Sequence, residues 1–116
     1  MVKFLDGGRR VAAASNSGDV RIFTVSTGRL YSLMGGFESL VRDIDVSEDG
    51  KYIAACAYDG SVRTYRSDGT LLEAVDLTEQ NGSWIETVSI GGNNNRLIVG
   101  CDYNGGTNIL CKLSKK

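Results

Sequence analysis

The chain is a duplication of itself. A shift of 42 positions carries Val2 to Phe23 onto Ile44 to Tyr65 without a gap. Gly8 falls on Gly50, Ala12 and Ala13 on Ala54 and Ala55, Gly18 on Gly60, Val20 on Val62 and Arg21 on Arg63. Val2, Val11 and Phe23 meet the similar Ile44, Ile53 and Tyr65. A third copy follows at a shift of 44, in which Val88 and Ile90 answer Ile44 and Val46, and Leu97 and Ile98 answer Ile53 and Ala54. After one further residue, Tyr103-Asn104-Gly105 answers Tyr58-Asp59-Gly60. Such an insertion belongs in a turn, where added length is tolerated. Glycines recur at turns and apolar residues recur in strands, which is what duplicated structure preserves.

Each unit reads as four strands. In the second, Val41-Arg42-Asp43-Ile44-Asp45-Val46 alternates apolar and polar residues, the mark of a strand with one buried face. Ser47-Glu48-Asp49-Gly50 is a turn, with glycine where a positive φ is required. Tyr52 to Ala57 forms the second strand, and its small residues predict close packing on both faces. Tyr58-Asp59-Gly60 makes a tight hairpin turn, Ser61 to Tyr65 the third strand, Ser67-Asp68-Gly69 a turn, and Leu71 to Val75 the fourth strand. Across the chain this gives about eleven strands, from an inner strand at Met1 to Leu5 to a third strand at Thr107 to Lys112. Few segments keep apolar residues at helical spacing, so the fold class is all-β: tandem four-stranded antiparallel blades.

A period of roughly 40–45 residues with four strands per unit is that of the WD-repeat β-propeller. The stretch from Val41 to Val75 resembles a divergent blade of that family, in its Ser-Glu-Asp-Gly-Lys turn, its Asp59-Gly60 hairpin and its Ser61-Val62-Arg63 strand. The resemblance implies a first blade at 1–35, a second at 36–77 and a third at 78–116 that lacks its outer strand. The family's Trp-Asp pair is absent, and Ile22-Phe23, Thr64-Tyr65 and Leu110-Cys111 stand in its place. The chain has no histidine, so the His-centred network of many such blades is excluded and apolar packing is expected to hold these. Propellers close with 4–8 blades, and three leave a bare apolar face at each end. Two arrangements remedy this: a segment of a longer propeller, or two or more copies closing a ring, as a homo-oligomer of about six blades.

Charge and composition exclude several functions. With 13 basic and 14 acidic residues scattered along the chain, no basic block offers a footprint for nucleic acid. No apolar run approaches the roughly 18 residues of a membrane helix, and the short stretch after Arg9-Arg10 is not a secretion signal. The absence of histidine removes Ser-His-Asp and Cys-His catalysis along with the commonest general base, so no enzyme activity and no cofactor are expected. Cys56, Cys101 and Cys111 lie in apolar runs, away from zinc spacings, and are expected as core thiols. Those thiols and the missing signal favour the cytoplasm, while Asn81-Gly82-Ser83 fits a glycosylation acceptor that would matter only outside it. Asp43 and Asp45, two apart on a strand, share a face that could bind a cation but is expected to be solvated. Gly7-Gly8, Gly35-Gly36, Gly91-Gly92, Gly105-Gly106 and Asn93-Asn94-Asn95 read as turns rather than phosphate loops.

What remains is binding. In a propeller the loops joining the second strand to the third, and the outer strand to the next inner strand, gather on one face, where recognition is often placed. The candidate partner-binding residues are therefore Phe37, Arg42, Tyr58, Asp59, Trp84, Tyr103 and Asn104, with Asn16 and Ser17 in the same loops. Phe37 has the alternative role of a plug between blades, Trp84 that of packing at a blade boundary, and Tyr58 and Tyr103 that of a shared structural position. The expected function is a protein-interaction scaffold that presents this face to a protein partner. The alternatives are a propeller binding a small ligand or cofactor in its central channel, through Arg42, Asp43, Asp45, Glu86 and Ser89, or an assembly module with no binding role of its own.

Overall fold

The computed structural model describes residues 1–58, 60–76, 85–93, 96–103 and 108–114, with the backbone alone at 76, 85–86 and from 92 onward. Three antiparallel sheets follow one another. The first is β1 (Val2–Leu5), β2 (Arg10–Ala14), β3 (Val20–Thr24) and β4 (Leu30–Met34), and the second is β5 (Val41–Val46), β6 (Tyr52–Ala57), β7 (Ser61–Arg66) and β8 (Leu71–Asp76). The third pairs β9 (Ile85–Asn93), β10 (Arg96–Tyr103) and β11 (Asn108–Ser114). Each strand pairs with its neighbour in sequence, so every sheet is a meander. Among the described residues the eleven expected strands are all present. Gly91-Gly92 is corrected: both lie inside β9, paired with Ile98 and Leu97, because the hairpin reverses later than the glycines suggest.

The duplication is kept in several main-chain hydrogen bonds. Val25 N donates to Arg9 O, and 42 residues on Ser67 N donates to Lys51 O, both at 2.9 Å. Thr24 N to Arg29 O has its counterpart in Arg66 N to Thr70 O. Gly18 and Gly60 share φ = 91° in the turn between the second and third strands. That left-handed conformation is costly for any residue with a Cβ, so the glycine recurs where the turn recurs. The Ser47–Gly50 turn is held by its own side chains: Asp49 Oδ1 accepts from Ser47 Oγ at 2.7 Å and from Lys51 N at 3.0 Å.

The core lies between the first and second sheets. Leu5, Ala12, Val20, Ile22 and Met34 pack against Val41, Ile44, Ile53, Ala55, Ala57 and Tyr65. Ala12 and Ala55 let the sheets approach, and Ile22, Ile44 and Ile53 fill the space. Burying each of these branched side chains stabilises the fold by about 1.5–3 kcal/mol. Cys56 is buried on the opposite face of β6, as its apolar run predicts.

Apolar packing does not act alone, which corrects the expectation drawn from the missing histidine. At the first junction Ser32 Oγ donates to Ser67 O at 2.9 Å, and Tyr65 Oη donates to Gly35 O at 2.7 Å. At the second, Asp43 Oδ2 accepts from Val88 N at 3.0 Å and Asp45 Oδ2 from Ile90 N at 2.9 Å. These carboxylates are half-buried and bonded, not solvated as expected. Strand β9 is the inner edge of its sheet, and its outward N–H groups need acceptors that the preceding blade supplies.

Candidate functional site

One end of the first two sheets gathers three loops: the turn after β2, the connection from β4 to β5, and the turn after β6. They are stitched together by main-chain bonds. Val41 N donates to Ser15 O at 3.2 Å, and Tyr58 N donates to Leu40 O at 3.0 Å. The β4–β5 connection is clamped from below as well. A Cβ at Gly18 would lie 2.6 Å from Phe37 O and 3.1 Å from Ser39 O, so the connection rests directly on the turn of the first sheet. Gly36, at φ = 98°, leaves room for the Arg63 guanidinium, which in turn sits 5.4 Å from the centre of the Phe37 ring. Tyr65 caps Gly35 from the second sheet, and its burial pushes the phenol above its ordinary value of 10.0, an effect that Arg63 opposes.

On this clamped rim the candidate residues divide. Phe37 is only 8% exposed and belongs to the core cluster, in the position of a plug between sheets. Arg42 is exposed, and the register explains how: Val41 pairs with Ala57 and Asp43 with Cys56, which leaves Arg42 as the extra residue of a β-bulge. A bulge turns its side chain out of the ladder and often marks a functional edge. Tyr58 stands in the adjoining turn at 42% exposure. Among the described residues of these loops, Asn16, Ser17 and Glu38 are the other exposed side chains. The structure thus brings Arg42 and Tyr58 to one rim and takes Phe37 out of it. Tyr103 ends β10, described by its backbone alone, while Asp59, Trp84 and Asn104 lie outside the described residues.

The bulge was not anticipated from the sequence, although a signal was present. Val41 and Ile44 are three residues apart, yet both are buried in the same core cluster. Strict alternation would put them on opposite faces, so one extra residue between them is required. The third sheet repeats the device: Asp102 pairs with Thr87 and Tyr103 with Ile85, so Glu86 is skipped at the position equivalent to Arg42.

On the inner strand β5, the acidic pair expected for a cation or channel ligand is engaged by the main chain of β9, with Lys3 Nζ 4.0 Å from Asp45 Oδ1. Among the described residues no cluster of three metal-ligating side chains occurs. No helix of the described residues is long and apolar enough to cross a membrane. At the opposite end of the sheets, an open cleft is lined by Tyr31, Lys51, Tyr52, Arg66, Ser67 and Asp68.

Comparison with known proteins agrees with this architecture. The WD domain, G-beta repeat family matches residues 28–66, from the turn before β4 through β7. The matched repeat therefore begins with the outer strand of one sheet and ends with the third strand of the next. An uncharacterized WD repeat-containing protein of Synechocystis is 23% identical over 84 residues, which cover 72% of this chain and 24% of that protein. The C-terminal WD40 domain of Sif2 superposes with a TM-score of 0.78 at 18% identity, over 97% of this chain and 33% of that one. The β-propeller domain of Cps50 (Swd1) from Myceliophteria thermophila gives 0.73 at 15% identity, over 97% and 36%. The chain thus spans about a quarter of its curated relative and about a third of the propeller domains. Residues 28–66 match the WD repeat, and the fold of the chain is that of β-propeller blades, a partial propeller of two to three blades.

Proposed function

We propose that this chain is a non-catalytic interaction scaffold that binds a protein partner through the rim formed by the 15–19 and 35–42 segments with Tyr58. The observation that carries this is the clamped β4–β5 connection, with exposed Arg42 and Tyr58 beside each other in the fold. Rigid loops lose little entropy on binding, and Tyr and Arg are the side chains most enriched at binding hot spots. Propellers of the WD class are in general non-enzymatic scaffolds, which supports the same conclusion. The channel alternative is weakened by the engagement of Asp43 and Asp45 with β9.

The test is a binding comparison. A partner isolated on the wild-type chain is purified, and its Kd is measured against Arg42→Ala and Tyr58→Ala variants whose circular dichroism matches wild type. Hot-spot truncation costs about 2 kcal/mol or more, roughly a thirtyfold loss of affinity. Unchanged affinity in both variants would remove this rim as the binding face.

A further inference from the structure

The first sheet has one covered face and one bare face. The bare face consists of two rows that run across all four strands. Register aligns Phe4 with Val11, Phe23 and Leu30 in one row, and Val2 with Ala13, Arg21 and Leu33 in the other. Phe4 is 65% exposed and Val2 57%, with Leu30 and Leu33 about half exposed. A contiguous apolar face of this kind is rare on a finished surface.

The duplication says what such a face is for. The corresponding rows of the second sheet are Val46-Ile53-Tyr65-Leu71 and Ile44-Ala55-Arg63-Ala74. Ile44, Ile53, Ala55 and Tyr65 are all buried there, covered by Leu5, Ala12, Val20, Ile22 and Met34 of the first sheet. The bare rows are therefore shaped to take the covering face of another blade. Among the described residues, the covering face that remains open is that of the third sheet, where Thr87, Ser89 and Gly91 are exposed. Its register row Ser89-Gly100-Leu110 is equivalent to the first sheet's Lys3-Ala12-Ile22, with a small residue again in the middle.

The inner edge fits in the same way. Ala14 N bonds to Met1 O, a register that directs the N–H groups of Val2 and Phe4 away from β2, toward the open edge. The equivalent groups of Val88 and Ile90 are held by Asp43 and Asp45. At the positions of those two aspartates the third sheet carries Thr87 and Ser89, whose hydroxyl groups can accept hydrogen bonds.

We propose that the bare face of the first sheet is covered by the third sheet of a second copy of this chain, so that two copies close head-to-tail into one ring. Two copies of about three blades give about six, inside the 4–8 range in which propellers close. This junction is separate from the loop rim, so either can fail without the other.

The test is the mass of the 116-residue chain of 12.5 kDa, measured by light scattering after size exclusion over a range of concentrations. A doubled mass is expected. Phe4→Asp places a charge on the bare face and Ser89→Arg a bulky one on the third sheet, and both residues are exposed within one copy. Each variant alone should lose most of its dimer while keeping a β-sheet circular dichroism spectrum. Mixed together they should pair again, because the mixture retains one intact junction between unlike copies. A monomeric wild-type chain, a dimer indifferent to Phe4→Asp, growth beyond two copies, or variants that do not complement would overturn the proposal.

Discussion

Gly18 and Gly28 both adopt positive φ, at 91° and 71°, but only one of them is crowded. An added Cβ at Gly28 meets nothing within 4 Å, whereas at Gly18 it lies 2.6 Å from Phe37 O and 3.1 Å from Ser39 O. Alanine at either position carries the left-handed backbone penalty of roughly 1–2 kcal/mol, partly offset by the lost entropy of the unfolded chain. Gly18→Ala must also push two main-chain carbonyls out of the β4–β5 connection, and such overpacking costs about 1–3 kcal/mol. Gly28→Ala is thus expected to destabilise by about 1 kcal/mol and Gly18→Ala by about 2–4 kcal/mol. Urea unfolding followed by far-UV circular dichroism, at one fixed protein concentration, measures the difference directly. Amide exchange at Tyr58, whose N–H is bonded to Leu40 O, should speed up in Gly18→Ala alone, because the loop that holds it has moved. Equal losses within roughly 0.5 kcal/mol in the two variants would refute the clamp, since the backbone penalty they share would then explain both.

Two further outcomes follow from the sheet junctions. Replacing Asp43 and Asp45 together by Ala removes the acceptors of Val88 and Ile90, each worth about 1–3 kcal/mol; hydrogen exchange at those two amides should accelerate while the amides of β2 and β3 keep their protection. Burial raises the Tyr65 phenol above 10.0, so the folded chain holds that proton longer than the unfolded one. Its contribution is full below pH 10.0 and is lost as pH rises through the folded value. Tyr65→Phe should cost about 1 kcal/mol at neutral pH through the lost bond to Gly35, yet give a shallower fall of the urea midpoint above pH 10. An unchanged alkaline slope would show that Tyr65 is not the group responsible.

Much of the fold was legible because the sequence contains its own alignment. Where Gly18 repeats as Gly60 and Ala12 as Ala54, a turn and a buried strand position are each seen twice, and the ranges of β5 and β6 follow without an outside template. The failures were of three physical kinds. Gly91-Gly92 reads as a turn because glycine serves turns, but two residues without side chains can also pair in a sheet. Asp43 and Asp45 were expected in water because isolated carboxylates prefer it, and nothing within one strand reveals that the next blade offers N–H groups. The bulge at Arg42 was hidden because alternation was counted through it, although the buried pair Val41 and Ile44 already breaks that period. Of the candidate site, Tyr58 is legible as a turn residue, whereas Arg42 reads as part of an inner strand and owes its exposure to the bulge. Phe37 was ambiguous because an aromatic in a connection serves as readily to fill the gap between sheets as to meet a partner.

The two junctions share their apolar scaffolding and differ in their polar contacts, and that difference fixes which blade can follow which. The first sheet carries Lys3 where the second carries Asp45, so its inner strand cannot accept the N–H groups of a neighbour's edge. The second sheet therefore meets the first through Tyr65 and Ser32 instead, nearer the outer strands. Phe23, the counterpart of Tyr65, has no hydroxyl, so whatever covers the bare face need not supply a carbonyl in the place of Gly35 O. Acceptors at the inner edge, beside Val2 and Phe4, would add to that contact as Asp43 and Asp45 do at β9. Third-sheet residues Thr87 and Ser89 can supply them, and Met1 and Lys3 at the same positions of the first sheet cannot. Buried polar contacts add little net stability, but a mismatched one leaves an unsatisfied group and costs the full desolvation. A first sheet against a third places hydroxyl acceptors beside both edge N–H groups and two first sheets do not, so these few residues favour the head-to-tail order over its alternatives.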